Sequence, residues 1–284
     1  MLFRSIGRVR GQLQRRAPVV MRLATCAGLP VVSKFMNLSN NTVLLTGGAS
    51  GIGLALAQRL RQAGSEVIIC GRRAAKLREA QQQVPGLHIY ETDLAQAADR
   101  AELARRVVAD FPALNVLINN AGIQNRFQLA DLGPDLADWE VQRQEIAINL
   151  EAPIHLSALL LPHLRQQPAP AIINVSSGLA FAPMAAAPIY SATKAAVHSF
   201  TMSLRQQLAS TGVRVLEIVP PGVNTDLGGP GLHTWAVPVD EFADSIVARL
   251  AAGEEEVGYG TSESIRLGSR ADIDARFKQM NAPR

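Results

Sequence analysis

The stretch Thr46-Gly47-Gly48-Ala49-Ser50-Gly51-Ile52-Gly53 places four glycines between a short apolar run and a long helical pattern. Gly47 permits a tight turn, Gly51 lets backbone amides approach an anion, and Gly53 lets the helix pack closely on the strand. Unpaired N–H groups and the positive end of the helix dipole would hold a phosphate there. Because the stretch lies between a strand and a helix, it predicts the pyrophosphate-binding turn of a dinucleotide site.

Short apolar runs alternate with longer amphipathic segments along the rest of the chain. Continuous apolar runs of this length are typical of strands that are covered on both faces, as in parallel sheets. The pattern predicts an α/β fold, a Rossmann-type doubly wound parallel sheet of about seven strands with helices on both faces and right-handed crossovers. The expected strands are residues 43–45, 67–69, 87–90, 116–118, 172–175, 213–219 and, last, 256–259.

The first 35 residues differ in charge from the rest of the chain. They carry seven cationic side chains and no acidic one, so removing them from the net charge of +4 leaves −3 on residues 36–284. We therefore expect no nucleic-acid-binding face on the body. Residues 1–35 are interpreted either as a flexible extension or start-site artefact ahead of Met36, or as a mitochondrial transit peptide. Residues 36–284 are expected to form a single domain.

The cysteines and the hydropathy pattern bear on the compartment. The sequence has two cysteines, Cys26 in the basic extension and Cys70 at the end of an expected buried strand. A disulfide framework is not expected, which favours a reducing compartment: the cytoplasm or, with a transit peptide, the mitochondrion. No uncharged apolar run reaches roughly 18 residues, so we expect no membrane-spanning helix.

The end of the second expected strand bears on the choice of dinucleotide. Many such sites place an acid there to bind the adenosine ribose, whereas NADP sites use an arginine. The stretch Ile69-Cys70-Gly71-Arg72-Arg73 lacks the acid and offers two guanidinium groups, which can bind a 2′-phosphate as a fork. In the alternative interpretation the arginines are only solvated at a helix start, although cations are unfavourable there. We expect NADP, with NAD as the alternative cofactor.

A tyrosine and a lysine at helical spacing carry the predicted chemistry. In Tyr190-Ser191-Ala192-Thr193-Lys194, the i, i+4 spacing places Tyr190 and Lys194 on one helix face. A free phenol titrates near ~10, and a neighbouring ammonium favours the phenolate and eases proton exchange.

Three further polar groups are expected near this pair. Ser177 follows the strand 172–175, and it is preferred over Ser176 by its spacing to Tyr190. Asn119-Asn120-Ala121-Gly122 follows another strand, and Asn149 lies in the helical stretch between the two. Since the carboxyl ends of parallel strands share one edge of a sheet, ligands bind there.

Together these ordered motifs, over roughly residues 41–225, resemble the short-chain dehydrogenase/reductase family and most closely its DltE-type oxidoreductases. The cues for that subgroup are YSATKAAVHSF at residues 190–200 and VPPGVNTDL at residues 219–227. The resemblance implies that residues 36–284 are a catalytic domain that transfers a hydride between NADP or NAD and a small carbonyl or alcohol substrate. It also implies a homodimer or homotetramer packed through the long helices that carry Asn149 and Tyr190.

The resemblance also implies roles for single residues. Tyr190 would exchange the proton with the substrate oxygen, Ser177 would orient that oxygen, and Lys194 would bind the nicotinamide ribose. Asn149 would hold a water of the proton relay. Further cofactor contacts are implied for Asp93 and Leu94 at the adenine, for Asn120, Ala121 and Gly122 at the centre, and for Pro221, Gly222, Val223 and Thr225 at the nicotinamide.

Several alternatives remain at this stage. The same fold and residues occur in epimerases and dehydratases, and the fold also serves as a nucleotide-sensing or partner-binding module. His155, His163 and His198 lie in helical patterns without carboxylate or cysteine partners at metal spacing, so packing or surface roles are expected and no metal site. Trp139 is expected to pack in a helix, and Trp235 either to pack or to touch substrate.

Overall fold

The computed structural model describes residues 38–134 and 136–282. The predicted N-terminal extension, with Cys26, lies outside the described residues. Seven strands within the described ranges form one sheet: β1 (Thr42–Thr46), β2 (Glu66–Gly71), β3 (Leu87–Glu91), β4 (Leu114–Asn119), β5 (Ala171–Val175), β6 (Arg214–Val219) and β7 (Glu256–Gly258).

The sheet has the strand order β3-β2-β1-β4-β5-β6-β7, and all neighbouring strands are parallel. Every residue of β1, β4 and β5 is buried, because helices cover both faces of these central strands. The predicted Rossmann-type doubly wound sheet is confirmed. The order of the strands reverses between β1 and β4: β2 and β3 lie beside β1, whereas β5 to β7 lie on the other side of β4. Ligands bind at this point in such folds.

The helices connect the strands and cover the sheet. The first begins at Gly51, because the glycine-rich turn itself supplies the first helical residues. The helical segments are α1 (Gly51–Gln62), α2 (Ala74–Gln83), α3 (Ala97–Asp110), α4 (Leu136–Ile146), a π-helical turn (Ala147–Glu151), α5 (Ala152–Leu164), α6 (Pro188–Leu208), α7 (Val239–Ala251), α8 (Thr261–Arg266) and α9 (Arg270–Met280).

Apolar side chains form a core on each face of the sheet. On one face, Leu56 of α1 and Phe242 of α7 pack with the strands. On the other face, Leu103 of α3, Leu156 of α5 and Leu204 of α6 do so. Burying apolar area on both faces stabilises the sheet and fixes the edge at which the strands end. Within the described ranges, no helix combines the length and the apolar character needed to cross a membrane.

Phe242 is the largest fully buried side chain and provides a test of the core. We expect Phe242→Ala to lower the free energy of unfolding by about 3–5 kcal/mol, because it leaves a cavity between α7 and the sheet. Urea unfolding followed by circular dichroism measures this change. Phe277→Ala is the matched control, since Phe277 is 40% exposed. This substitution should lower the free energy of unfolding by less than about 1 kcal/mol. Equal losses for both variants would contradict the assignment of the core.

Candidate active site

The glycine-rich turn joins β1 to α1 in a form that only glycines allow. Gly47 and Gly51 have φ values of +68° and +53°, in the left-handed region. A Cβ at Gly53 would lie 2.3 Å from the carbonyl oxygen of Gly47. Ser50, which precedes the helix, makes no side-chain capping hydrogen bond, and the first turn of α1 contains no acidic residue. The positive helix terminus is therefore not compensated by a local carboxylate, and the turn fits a bound phosphate.

The turn is tied to the end of β4 by Thr46. Its hydroxyl accepts hydrogen bonds from the backbone N–H groups of Asn120 and Ala121, each at 3.0 Å. The side-chain amide of Asn120 donates in return to the carbonyl of Thr46 at 2.9 Å. A Cβ at Gly47 would lie 2.8 Å from the Cα of Ala121, so the two loops are in close contact. The structure thus joins the predicted glycine turn to the predicted loop after β4.

The two arginines after β2 lie exposed at the same edge of the sheet. Arg72 Nε is 4.0 Å from Asp93 Oδ1, and Arg73 precedes the first residue of α2. Asp93 also accepts a hydrogen bond from the backbone N–H of Ala95 at 3.1 Å, while Leu94 is buried. Both partners of the Arg72–Asp93 pair are partly exposed, so the pair holds Arg72 only weakly. The guanidinium groups therefore remain able to bind an anion at the end of β2.

Tyr190 lies in the first turn of α6 and is 6% exposed. Burial raises the pKa of its phenol to about 12, a hydrogen bond with Ser177 lowers it, and the charge of Glu145 raises it. Burial thus outweighs the stabilisation of the phenolate that the sequence led us to expect from Lys194. The Ser177 hydroxyl is anchored by a hydrogen bond from the N–H of Leu179 at 3.1 Å. The structure therefore brings Ser177 and Tyr190 together, with the phenol in its protonated form.

Lys194 lies one helical turn after Tyr190 and is 4% exposed. Its ammonium donates to the carbonyl oxygen of Val175 at 2.9 Å and lies 5.6 Å from the centroid of the Tyr190 ring. Burial lowers the pKa of this lysine to about 8, and the carboxylates of Glu145 and Glu217 oppose that effect. A positive charge is thus fixed beside the phenol at the end of β5.

Asn149 occupies the π-helical turn between α4 and α5, a distortion that often marks functional sites. Its side-chain oxygen accepts from the N–H of Ile123 at 2.9 Å, and its amide donates to the carbonyl of Ile123 at 2.8 Å. A Cβ at Gly122 would lie 3.4 Å from Asn149 Oδ1 and 3.6 Å from Lys194 Nζ. Asn149 and Lys194 therefore meet at the loop after β4, and the water predicted at Asn149 stays a prediction.

The loop after β6 reaches the glycine turn from the other side. Val223 forms an isolated parallel bridge with Val237. A Cβ at Gly51 would lie 3.2 Å from Thr225 Cγ2, and one at Gly222 would lie 3.0 Å from the ring of Trp235. Trp235 packs on Gly222 with one ring edge and is 76% exposed, and its contact with substrate stays a prediction. The predicted segment Pro221 to Thr225 thus contacts the glycine turn through Thr225.

Two polar residues of the site were missed by the sequence interpretation. Glu145 of α4 is fully buried and accepts hydrogen bonds from the N–H of Asn125 at 3.3 Å and from its side-chain amide at 3.1 Å. Gln124 is 6% exposed, and its side-chain oxygen has no hydrogen-bond partner among residues 38–134 and 136–282. An acid or amide in an amphipathic helix or loop is usually exposed, so the pattern gave no signal for either.

The interpretation of His198 was wrong in one respect. Its Nδ1 lies 3.0 Å from Glu217 Oε2, so it does have a carboxylate partner, on a strand distant in the sequence. Glu217 is fully buried and also accepts a hydrogen bond from Ser176 at 2.5 Å, and it raises the pKa of His198. Ser176 therefore faces away from Tyr190, in agreement with the choice of Ser177. Glu256 lies close to His198 and Glu217 but pairs with Arg266 at 3.4 Å. We therefore interpret His198, Glu217 and Glu256 as an ion-pair cluster.

Comparison with known proteins identifies the family. The sequence model of the short chain dehydrogenases matches residues 41–233. The uncharacterized oxidoreductase DltE of Bacillus subtilis (strain 168) is 45% identical over 251 residues, which cover 87% of this chain and 98% of that protein. This chain belongs to the short-chain dehydrogenase family. The resemblance predicted from the motifs, including the likeness to DltE, is confirmed, and the chain is a member of a family of oxidoreductases.

Solved short-chain dehydrogenases have the same fold. The enzyme of Burkholderia cenocepacia J2315 in complex with NADP superposes with a TM-score of 0.74 at 27% identity, covering 87% of this chain and 100% of that chain. The enzyme of Sphingobium yanoikuyae in complex with NADPH gives a TM-score of 0.70 at 26% identity, covering 86% and 96%. Both structures share the fold over most of this chain and so support the family assignment.

The close packing of the glycine turn can be tested by one methyl group. We expect Gly53→Ala to lower the free energy of unfolding by about 1–3 kcal/mol, because its Cβ would lie 2.3 Å from a backbone oxygen that cannot move freely. Gly212→Ala is the matched control, since a Cβ there has no neighbour within 4 Å. Urea unfolding compares the two variants. A Gly53→Ala chain as stable as the Gly212→Ala chain would contradict this geometry.

Proposed function

We propose that this short-chain dehydrogenase is an NADP-preferring oxidoreductase that interconverts a carbonyl and an alcohol, with Tyr190 as the acid/base. The observation that carries the proposal is the burial of Tyr190 and Lys194 side by side at the edge where the glycine turn opens. A buried phenol beside a fixed ammonium has few structural uses, whereas such a pair can exchange a proton with a substrate oxygen. We propose residues 36–284 as the catalytic domain.

Tyr190 supplies the proton in the reductive direction. Its pKa is raised to about 12 by burial, so the phenol is protonated at neutral pH and can donate to a substrate oxygen. Ser177, whose hydroxyl is hydrogen-bonded with the phenol, is proposed to donate to the same substrate oxygen and so to orient it. In the oxidative direction the same phenol takes the proton back from the alcohol. The phenolate left after donation is stabilised by the Lys194 ammonium beside the ring.

The cofactor assignment is supported by the residues at the edge of the sheet. The turn of residues 47–53 would hold the pyrophosphate, and Arg72 and Arg73 a 2′-phosphate. When bound, the nicotinamide supplies or accepts the hydride. The related proteins from Burkholderia cenocepacia and Sphingobium yanoikuyae, solved with NADP and NADPH, support the same choice here. Thr225 and Val223 are proposed to contact the nicotinamide end of the cofactor. Asn120, Ala121 and Gly122 are proposed to contact the central part of the cofactor.

We also propose that the chain forms a homodimer or homotetramer. Exposed apolar side chains on consecutive helices support this: Trp139 and Val141 on α4, Ile154 on α5 and Met202 on α6. Trp139 was expected to pack within its own chain, but it is 47% exposed. Apolar groups on the outer faces of several helices are typical of surfaces between subunits.

Removal of the phenol hydroxyl tests the proposed acid. We expect Tyr190→Phe to reduce kcat for carbonyl reduction by about 100-fold or more, since it removes the proton donor and leaves the ring in place. NADPH oxidation with a panel of aldehydes and ketones measures the rate. Tyr259→Phe is the matched control, because that hydroxyl bonds to Glu241 away from the cleft. Full turnover by the Tyr190→Phe chain would overturn the proposal.

Removal of one guanidinium tests the cofactor preference. We expect Arg72→Ala to weaken NADPH binding by about 10-fold and to leave NADH binding unchanged, because only NADPH carries the 2′-phosphate. Fluorescence titration with both nucleotides measures the affinities. Arg78→Ala, which removes an exposed arginine from α2, is the control and should bind both nucleotides like the native chain. Equal affinity of the native chain for NADPH and NADH would contradict the preference.

A further inference from the structure

Glu145 is a fully buried carboxylate that the proposed reaction does not yet use. It lies in the last turn of α4, one turn before Asn149. Burying a carboxylate is costly unless hydrogen bonds and an opposite charge compensate for the lost water. The surroundings of Glu145 supply both hydrogen bonds and an opposite charge. Both connect Glu145 to the residues around Tyr190.

The hydrogen bonds of Glu145 hold the loop after β4. Its two oxygens accept from the backbone and the side-chain amide of Asn125, at 3.3 Å and 3.1 Å. Asn149 grips Ile123 of the same loop through a donated and an accepted bond. Two side chains from one helical segment thus fix residues 122–125 at two points.

This loop lies against Lys194. A Cβ at Gly122 would be 3.6 Å from the lysine nitrogen and 3.4 Å from Asn149 Oδ1. A movement of the loop would therefore alter the space around the ammonium. The hydrogen bonds that Asn125 donates to Glu145 help to hold the loop in this position.

The opposite charge that compensates Glu145 is Lys194. Glu145 raises the pKa of the Lys194 ammonium and that of the Tyr190 phenol, and Lys194 lowers the pKa of Glu145. Burial raises the pKa of Glu145 itself. A second carboxylate, Glu217 of β6, faces Lys194 from the sheet and raises its pKa as well. The same Glu217 carboxylate also pairs with His198 of α6, at 3.0 Å.

We propose that Glu145 is a positioning residue of this active site: it holds residues 122–125 against Asn149 and Lys194, and it places a buried negative charge opposite the Lys194 ammonium. The proposal rests on the function proposed above for Tyr190 and Lys194. Glu145 itself need not touch substrate or cofactor. Its effect on the reaction passes through the lysine, which stays charged at neutral pH, and through the phenol, which stays protonated.

The titration of Lys194 in the ligand-free protein tests this directly. The sequence holds four lysines, Lys34, Lys76, Lys194 and Lys278, so ¹³C-labelled lysine gives few NMR signals, and Lys194→Met assigns the one of interest. We expect the midpoint near 8 in the native chain to fall by about half a unit or more in Glu145→Gln, which keeps the shape and removes the charge. Glu145→Asp, which keeps the charge, should titrate closer to the native chain than Glu145→Gln does.

Glu140→Gln is the matched control. It removes a carboxylate from the same helix, but Glu140 is exposed and pairs with Arg143 at 2.6 Å, so the Lys194 midpoint should not move. Identical Lys194 midpoints in the native, Glu140→Gln and Glu145→Gln chains would overturn the proposal. If Glu145→Gln does not fold, the coupling is measured from the other side, with ¹³C-labelled glutamate. The Glu145 midpoint should then rise in Lys194→Met, and no rise would overturn the proposal.

The pH profile of the reaction gives a second readout. The alkaline limb of kcat/KM for carbonyl reduction should move to lower pH in Glu145→Gln, because the pKa values of both Lys194 and Tyr190 fall when the charge is removed. An unmoved limb in an active Glu145→Gln enzyme would overturn the proposal while leaving the proposed function intact. Full turnover by Tyr190→Phe would instead overturn the proposed function. The titration of Lys194 would still test the positioning role of Glu145.

Discussion

The hydrogen bonds between Thr46 and Asn120 are the constraint on which the rest of the site depends. They join the end of β1 to the end of β4, the two strands between which the strand order reverses. Through them, the glycine turn that fits a phosphate is held beside the loop that contacts Asn149 and Lys194. The parallel order of the strands then brings Ser177, from the end of β5, to the same edge. Residues far apart in the sequence meet because the parallel strands that precede them end at one edge of the sheet.

Burial determines the chemistry of the groups that meet there. Tyr190 and Lys194 lie on a helix packed against the sheet, and lack of water shifts their pKa values in opposite directions, to about 12 and about 8. Carboxylates placed behind the lysine limit the fall of its pKa. Tyr190 and Lys194 thus obtain their proton states from packing and from the charges around them, and not from their identities alone.

The sequence predicted much of this arrangement because the relevant signals are local. Glycines with a required turn geometry, apolar runs that end in polar residues, and the spacing of Tyr190 and Lys194 all show within short windows. The sequence could not show Glu145 with Asn125, nor His198 with Glu217, because each pair joins different elements of the fold. Such contacts follow from the packing of the sheet.

The central claim is that the glycine turn and the Tyr190–Lys194 pair serve one bound dinucleotide. A crystal structure of the chain with NADPH tests it most directly. The account predicts the pyrophosphate against the backbone N–H groups of residues 51–53 and the nicotinamide ring beside Tyr190, Ser177 and Lys194. A nucleotide bound at another edge of the sheet, or a nicotinamide ring remote from Tyr190 in an otherwise unchanged cleft, would contradict it.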